Sequence, residues 1–160
     1  MIRFEGGKWT ESRNINPDKW KLDACPTNAA AAAAKGNQVA ISWFTAAQGS
    51  PRVQAVFSSD GGATFGKPVL VSTGRAYGYT SIALDEQGGA IVSWLEQGGT
   101  DTRILARPVA ANGTAGPDTQ VTQGSRSALG YPKILHAGGE TWVAWAGSAA
   151  PAKVQTVRLK

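Results

Sequence analysis

A short apolar segment with a tryptophan near its end occurs three times along the chain at equal intervals. The anchoring residues Trp43, Trp94 and Trp145 are 51 residues apart. The segments are QVAISWF (38–44), GAIVSWLE (89–96) and TWVAWAG (141–147). Two equal intervals of this length indicate a repeated structural unit that buries its apolar faces against its neighbours.

The segments around each tryptophan segment repeat as well. A small-residue or aliphatic segment that ends in a glycine turn precedes it: AAAAKGN (31–37), SIALDEQGG (81–89) and KILHAGGE (133–140). An alternating segment follows it: RVQAVF (52–57), RILARPV (103–109) and KVQTVRL (153–159). A fourth segment comes after two of these: PVLVST (68–73) and TQVTQ (119–123). Four short antiparallel strands, A to D, per unit of about 50 residues are typical of a β-propeller blade.

The repeat predicts an all-β chain of about three propeller blades in one partial domain, residues 1–160. We assign residues 25–74, 75–124 and 125–160 to the blades, the last without strand D. Residues 1–24 end a preceding blade, with its strands C and D in about 1–16. Propellers close with about 4–8 blades. Two explanations stay open: the chain is part of a longer six-bladed propeller, or two copies form a homodimer that completes a six-bladed ring.

The alanine tract NAAAAAAKG (28–36) tests this interpretation. Alanine favours helices, but the tract coincides with strand A of the repeat, and six residues are too few for a stable isolated helix. Small side chains fit where sheets converge near a propeller axis. The repeat therefore predicts a strand here.

One polar turn, FSSDGGATFG (57–66), separates strands C and D of the first complete blade. Its aspartate can accept hydrogen bonds from the loop backbone, and its glycines can take positive φ. The pattern S-x-D-x-G-x-T-F resembles the Asp-box, the bacterial neuraminidase repeat of sialidase-like propellers. The resemblance implies a structural turn on the face away from the active site, with the last aromatic ring in the core between sheets. The matching residues are Ser58, Asp60, Gly62, Thr64 and Phe65.

Candidate ligand-binding residues lie in the two loops between strand D and the next strand A. STGRAYGYTS (72–81) and TQGSRSALGYPK (122–133) each supply one arginine and one aligned tyrosine. Arginine can bind a carboxylate with two parallel hydrogen bonds, and tyrosine can stack on a sugar. Two carboxylates flank a loop between strands B and C on the same face. The candidates are Arg75, Arg126, Tyr79, Tyr131, Glu96 and Asp101, with packing or solvated surface as the competing explanation.

Charge and composition narrow the function classes. A net charge of +5 without a Lys/Arg run disfavours a nucleic-acid partner. The absence of about 18 consecutive apolar residues predicts no membrane span. One Cys and one His cannot form a zinc site, so we expect no metal and no cofactor. Cys25 is predicted to be a buried small hydrophobe and His136 a structural residue of strand A.

The sialidase resemblance also implies a catalytic set: an arginine triad, a tyrosine nucleophile with a glutamate partner, and an acid/base aspartate. That set cannot be placed here, since the loops offer two arginines. We therefore predict a non-catalytic or catalytically incomplete segment that binds an anionic glycan or a protein partner. One alternative is that the chain is part of an exo-sialidase-like glycoside hydrolase whose other blades supply the missing residues. The other is that it is a pure interaction scaffold. The resemblance implies a periplasmic or extracellular parent protein, although MIRFEGGKWT has no apolar signal region.

Overall fold

The computed structural model describes residues 1–23, 25–147 and 150–160, and every regular element in them is a strand except one 3-10 turn, Ala47–Gly49. The strands are β1 (Phe4–Glu5), β2 (Lys8–Trp9), β3 (Ala31–Lys35), β4 (Gln38–Thr45), β5 (Arg52–Ser58), β6 (Val69–Leu70), β7 (Ala76–Leu84), β8 (Ala90–Gly98), β9 (Asp101–Val109), β10 (Thr119–Gly124), β11 (Lys133–Ala137), β12 (Glu140–Ala146) and β13 (Val154–Leu159).

Three antiparallel sheets follow one another along the chain. Strands β3-β4-β5-β6 form blade 1, β7-β8-β9-β10 form blade 2, and β11-β12-β13 form blade 3. Each sheet is a meander in which consecutive strands are neighbours, as the repeat predicts. The order A-B-C-D is confirmed for two blades and A-B-C for the third.

The N-terminal segment differs from the prediction of two full strands in residues 1–16. It forms a hairpin of two residues per strand, in which Phe4 lies opposite Trp9. Both side chains are exposed, at 62% and 67%. Strands C and D of a preceding blade require strands A and B beside them, and these are not among the described residues.

The alanine tract is a strand, as predicted. Ala33 lies opposite Ala40 of β4, and Ala31 and Ala33 pack against the core between blades 1 and 2. The methyl groups let neighbouring strands approach closely, so tertiary packing overrides the helical preference of alanine.

The first apolar core lies between blades 1 and 2. Val53 and Val71 of blade 1 meet Val92 and Trp94 of blade 2, and all four side chains are fully buried. At roughly 25 cal/mol per Å² of apolar area, this sheet-on-sheet packing is the main stabilising contribution.

A second core lies between blades 2 and 3. Leu95 and Ile104 of blade 2 pack with Val143 and Trp145 of blade 3. Trp94 and Leu95 are consecutive residues in different cores because side chains alternate across a strand. Each repeated tryptophan therefore faces the preceding blade, and Trp43 faces the segment 12–20 in the same way.

The structure also bears on the predictions for Cys25 and for a membrane span. Cys25 is exposed, so the prediction of a buried thiol is wrong. It lies in the irregular connection before β3, outside both cores. Across residues 1–23, 25–147 and 150–160, no helix has the length and apolarity needed to cross a membrane.

Candidate functional site

The blades have two ends that carry different loops. At one end, the loop before β7 meets the loop before β5, where the Ala76 amide donates to the Pro51 carbonyl over 3.4 Å. At the other end, the Gly61 amide of the polar turn 57–66 donates to the Asn37 carbonyl over 2.9 Å. We call the first end the loop face. The polar turn and the predicted ligand loops thus lie at opposite ends of the strands.

The polar turn 57–66 is closed by hydrogen bonds. The Asp60 carboxylate accepts from the Ser58 hydroxyl (2.7 Å), the Thr64 hydroxyl (2.6 Å) and the Thr64 amide (2.8 Å). The Ser58 hydroxyl oxygen accepts from the Gly62 amide over 2.9 Å. These hydrogen bonds, those from Thr64 above all, hold the pKa of Asp60 well below its usual range.

The aromatic ring of this turn lies elsewhere than predicted. Phe65 is half-buried and its ring lies beside Gly62, outside both inter-blade cores. The turn is also bound from outside, since the Arg13 guanidinium donates to the Gly62 carbonyl over 2.6 Å. The polar turn thus ties the N-terminal segment to blade 1 through Arg13.

On the loop face, three tyrosines and an arginine form one group, which we call the aromatic cluster: Tyr77, Tyr79, Tyr131 and Arg126. The rings of Tyr79 and Tyr131 stack with centroids 3.9 Å apart and planes 5° from parallel. The guanidinium carbon of Arg126 lies 5.2 Å from the Tyr79 centroid and 5.4 Å from that of Tyr77. These distances allow cation–π attraction. The structure therefore joins three of the predicted residues, from both loops.

A strained backbone positions the cluster. Gly78 has φ +89° and Tyr79 has φ +52°, a region that tyrosine rarely adopts. Asn28 holds this bulge on both sides: its Oδ1 accepts from the Tyr79 amide (2.6 Å), and its Nδ2 donates to the Tyr77 carbonyl (3.1 Å). A Cβ on Gly78 would lie 2.4 Å from Asn28 Oδ1, so only glycine fits.

The tyrosine hydroxyl groups have different environments. The Thr27 hydroxyl lies 3.5 Å from the Tyr79 hydroxyl; this contact, followed by the neighbouring Tyr131 and Arg126, lowers the pKa of Tyr79. The contact with Tyr79 raises the pKa of Tyr131. Tyr131 is 54% exposed and borders an open groove of about 440 Å³. The other residues that line this groove include Arg126, Ser127, Leu129, Gly130 and Gly147.

Glu96 occupies a different place from the exposed loop carboxylate that the sequence suggested. It belongs to β8 and is completely buried. Its carboxylate accepts from Trp94 Nε1 (2.9 Å), the Gly74 amide (3.0 Å) and Arg103 (3.2 Å). In this position it supports the loop face from within, and its carboxylate is occupied by these internal donors.

The two remaining candidates lie apart from the cluster. Arg75 is exposed, and its carbonyl accepts from the Gln97 amide over 2.9 Å. Asp101 is half-buried at the first position of β9, opposite Gly98. Within the part of the chain that the structure describes, neither side chain has a hydrogen bond or aromatic contact to the cluster.

Sequence reasoning missed Asn28 and Thr27. Both lie in the irregular segment before β3, about 50 residues from the tyrosines they contact. No local pattern marks them, because their role depends on how blades 1 and 2 pack. His136 lies in β11, and its ring nitrogens are 2.7 Å from the Thr141 hydroxyl and 2.5 Å from the Glu86 carboxylate, so both are satisfied. The described residues contain no group of three or more His, Cys, Asp or Glu side chains placed to hold a metal ion.

Comparison with known proteins gives likeness in structure alone. The sequence matches no protein-family profile and no curated protein. A xylan β-1,4-xylosidase from Bacillus halodurans C-125 superposes with a TM-score of 0.59 and 11% identity, over 95% of this chain and 32% of that one. A GH32 β-fructofuranosidase from Bombyx mori gives a TM-score of 0.50 and 15% identity, over 72% and 28%.

The chain thus spans about a third of the length of these proteins. Both are β-propeller glycoside hydrolases. At such low identity the likeness concerns the fold. Together with the three face-to-face meanders, it identifies the chain as a run of β-propeller blades.

Proposed function

We propose that the chain is a sialidase-like Asp-box propeller segment, non-catalytic or catalytically incomplete, that binds an anionic glycan through the aromatic cluster. The observation that carries this proposal is the half-exposed Tyr131 ring stacked on Tyr79, with Arg126 beside them. A ring held in place from behind can stack on the C–H face of a sugar with little loss of side-chain entropy. The glycoside-hydrolase fold of the neighbours supports a saccharide over a protein ligand.

Arg126 gives the cluster its preference for charge. A guanidinium can donate two parallel hydrogen bonds to one carboxylate. Among the described contacts of Arg126, the partners are aromatic rings and no carboxylate pairs with it. A carboxylate on a bound sugar would therefore meet an arginine that needs no internal ion pair broken.

The surroundings of the tyrosines support an incomplete site. In sialidases, the resemblance implies, a glutamate partners the tyrosine nucleophile. Here the hydroxyl beside Tyr79 belongs to Thr27, and Glu96 is bound inside the fold. The alternative, part of an exo-sialidase whose other blades complete the site, is favoured by the short share of the neighbours' length that the chain spans. A location outside the cytoplasm belongs to the same proposal.

Binding of sialyllactose, with lactose as the neutral match, tests the proposal by calorimetry. Tyr131→Ala should weaken binding of sialyllactose and lactose roughly 5–10-fold, because a stacking contact is worth about 1 kcal/mol. Arg126→Ala should remove the preference for sialyllactose. Tyr131→Phe is the matched control, which keeps the ring and should keep most of the affinity.

Arg75→Ala tests the other predicted arginine and should have the smaller effect, since Arg75 lies outside the cluster. Affinity for sialyllactose that is unchanged in both Tyr131→Ala and Arg126→Ala would contradict the proposal. Turnover of a fluorogenic sialoside by this chain would favour the enzyme alternative. No binding across a glycan array would favour the scaffold alternative.

A further inference from the structure

One sheet face of blade 3 is exposed, whereas the equivalent face of blade 2 is covered by blade 3. In blade 2, Ala83 and Ile91 are cross-strand partners on the side of blade 3, and they are 8% and 9% exposed. Leu135 and Trp142 are the equivalent partners in blade 3, and they are 61% and 42% exposed. The same face carries the Glu140–Arg158 ion pair, and Arg158 lies opposite Trp142. Large apolar side chains exposed side by side in this way mark an interaction surface.

Blade 1 leaves the matching face partly uncovered at the other end. Ile41 and Trp43 are the repeat equivalents of Val92 and Trp94, which pack on the preceding blade. Ile41 is 9% exposed, whereas Trp43 is only half-buried. With Ile41 it lines an open groove of about 610 Å³ between β4 and the segment 12–20. The two ends of the chain thus carry the two halves of an inter-blade interface.

Blade 3 also has an open edge. Strands β5 and β9 each pair with a strand D, whereas β13 pairs only with β12 among the residues that the structure describes. An unpaired edge is a template for a strand from another chain.

The N-terminal segment contains a candidate for that strand. Pro17 precedes Pro68 by 51 residues, so PDKWKL (17–22) is in register with PVLVST (68–73) of strand D. Trp20 is the equivalent of Val71, which is buried between blades 1 and 2. Trp20 packs edge-on against Phe44, with centroids 5.5 Å apart, and lines the groove of blade 1. The segment lies beside blade 1 as the strand D of a preceding blade would, and strands A to C of that blade are not among the described residues. In the single chain it is irregular, with φ +60° at Lys19, so it must become extended to pair as a strand.

We propose that a second copy of this chain fills this place. Blade 3 of one copy enters the groove of the other, so that Leu135 and Trp142 cover Ile41 and Trp43. Residues 17–22 pair with β13 of the other copy as its strand D. The contact is made twice about a twofold axis, and the two chains form a closed ring of six blades. The inference is independent of the glycan site.

Mass in solution is the first test. Light scattering at tens of micromolar should give twice the chain mass of 16.6 kDa. Trp142→Asp should weaken the dimer at least tenfold, because it places a charge in an apolar contact. The side chain is exposed in the single chain, so circular dichroism should show an unchanged fold. Trp9→Asp changes a tryptophan that is 67% exposed on the N-terminal hairpin and should leave the dimer intact.

A disulfide tests the register. Gln54 lies opposite Leu70 in blade 1. In blade 3, Gln155 lies opposite Trp145 as Gln54 lies opposite Trp43 in blade 1, so Gln155 is the equivalent of Gln54. Lys19 precedes Leu70 by 51 residues. In a Cys25→Ser background, a mixture of Gln155→Cys and Lys19→Cys chains should form a disulfide-linked dimer on oxidation. Lys8→Cys in place of Lys19→Cys should not.

Three outcomes would overturn the inference: a monomeric mass, as expected if a further blade of a longer chain is the natural occupant; a dimer that survives Trp142→Asp; or equal cross-linking through residues 8 and 19.

Discussion

At Asp60, one carboxylate holds a turn together through Ser58 and Thr64. Because its folded-state pKa lies below the ordinary value of about 3.9, the unfolded chain binds more protons between the two values. This contribution to stability is complete above about pH 4 and is lost as the pH falls through the folded-state pKa. Asp60→Asn should therefore lower the melting temperature at pH 7. The difference from the unchanged protein should shrink below about pH 4, which calorimetry across pH would show. If the difference in melting temperature stayed constant with pH, the loss of stability would come from altered side-chain geometry and not from the lost carboxylate charge.

A second prediction concerns the stability cost of replacing Gly78 by alanine, with Gly99 as the matched control. Both glycines have positive φ, +89° and +72°, but a Cβ meets Asn28 and Phe44 at Gly78 and nothing within 4 Å at Gly99. Gly99→Ala should cost about 1 kcal/mol in the free energy of unfolding for backbone strain alone. Gly78→Ala should cost about 3 kcal/mol or more, since the clash adds to the strain. Urea unfolding measures both, and equal losses would show that the contact with Asn28 does not restrict this position.

At the level of whole elements, the turn between β7 and β8 contacts blade 3 through Glu86. The Glu86 carboxylate accepts from His136 Nε2 (2.5 Å) and from the Gly139 amide (3.2 Å), and the His136 contact lowers the pKa of Glu86. Glu86→Ala should lower the melting temperature by at most a few degrees, because the Glu86 carboxylate is exposed to solvent. It should also speed amide hydrogen exchange in β11 and β12 more than in β4 and β5. Glu11→Ala, an exposed carboxylate outside these contacts, is the control. Uniformly faster exchange would mean that Glu86 does not hold blade 3.

The strands themselves followed from the sequence, while several side chains did not. The 51-residue period and the alternation of apolar residues are properties of the local chain, so they predicted the meanders and the alanine strand. Glu96, Phe65 and Cys25 were misplaced for a different reason. Whether Glu96 is solvated depends on Gly74 and Arg103, which approach it only when the loop before β7 folds back. Partners so far apart leave no periodic signal.

For the whole molecule, the same limit applies to the candidate site. The alignment of the two loops brought Arg126, Tyr79 and Tyr131 forward as candidates, because each loop starts at the same point of the repeat. It could not show that the tyrosines of successive repeats stack on each other, nor that Asn28 holds them. It also predicted Arg75 and Arg126 equally as ligand-binding residues, although only Arg126 lies over the tyrosine rings. Symmetry in sequence predicts equal positions, and the packing between blades then makes those positions unequal.

Every repeated indole points back toward residues that precede it in the chain. Trp43 faces the segment 12–20, Trp94 faces blade 1 and Trp145 faces blade 2. During synthesis the residues that each tryptophan packs against are made before the tryptophan itself. Each new sheet can therefore pack its tryptophan against a sheet or segment that has already been synthesised. The chain can thus assemble in the direction of its synthesis, because Trp94 and Trp145 are buried against blades that are made before them.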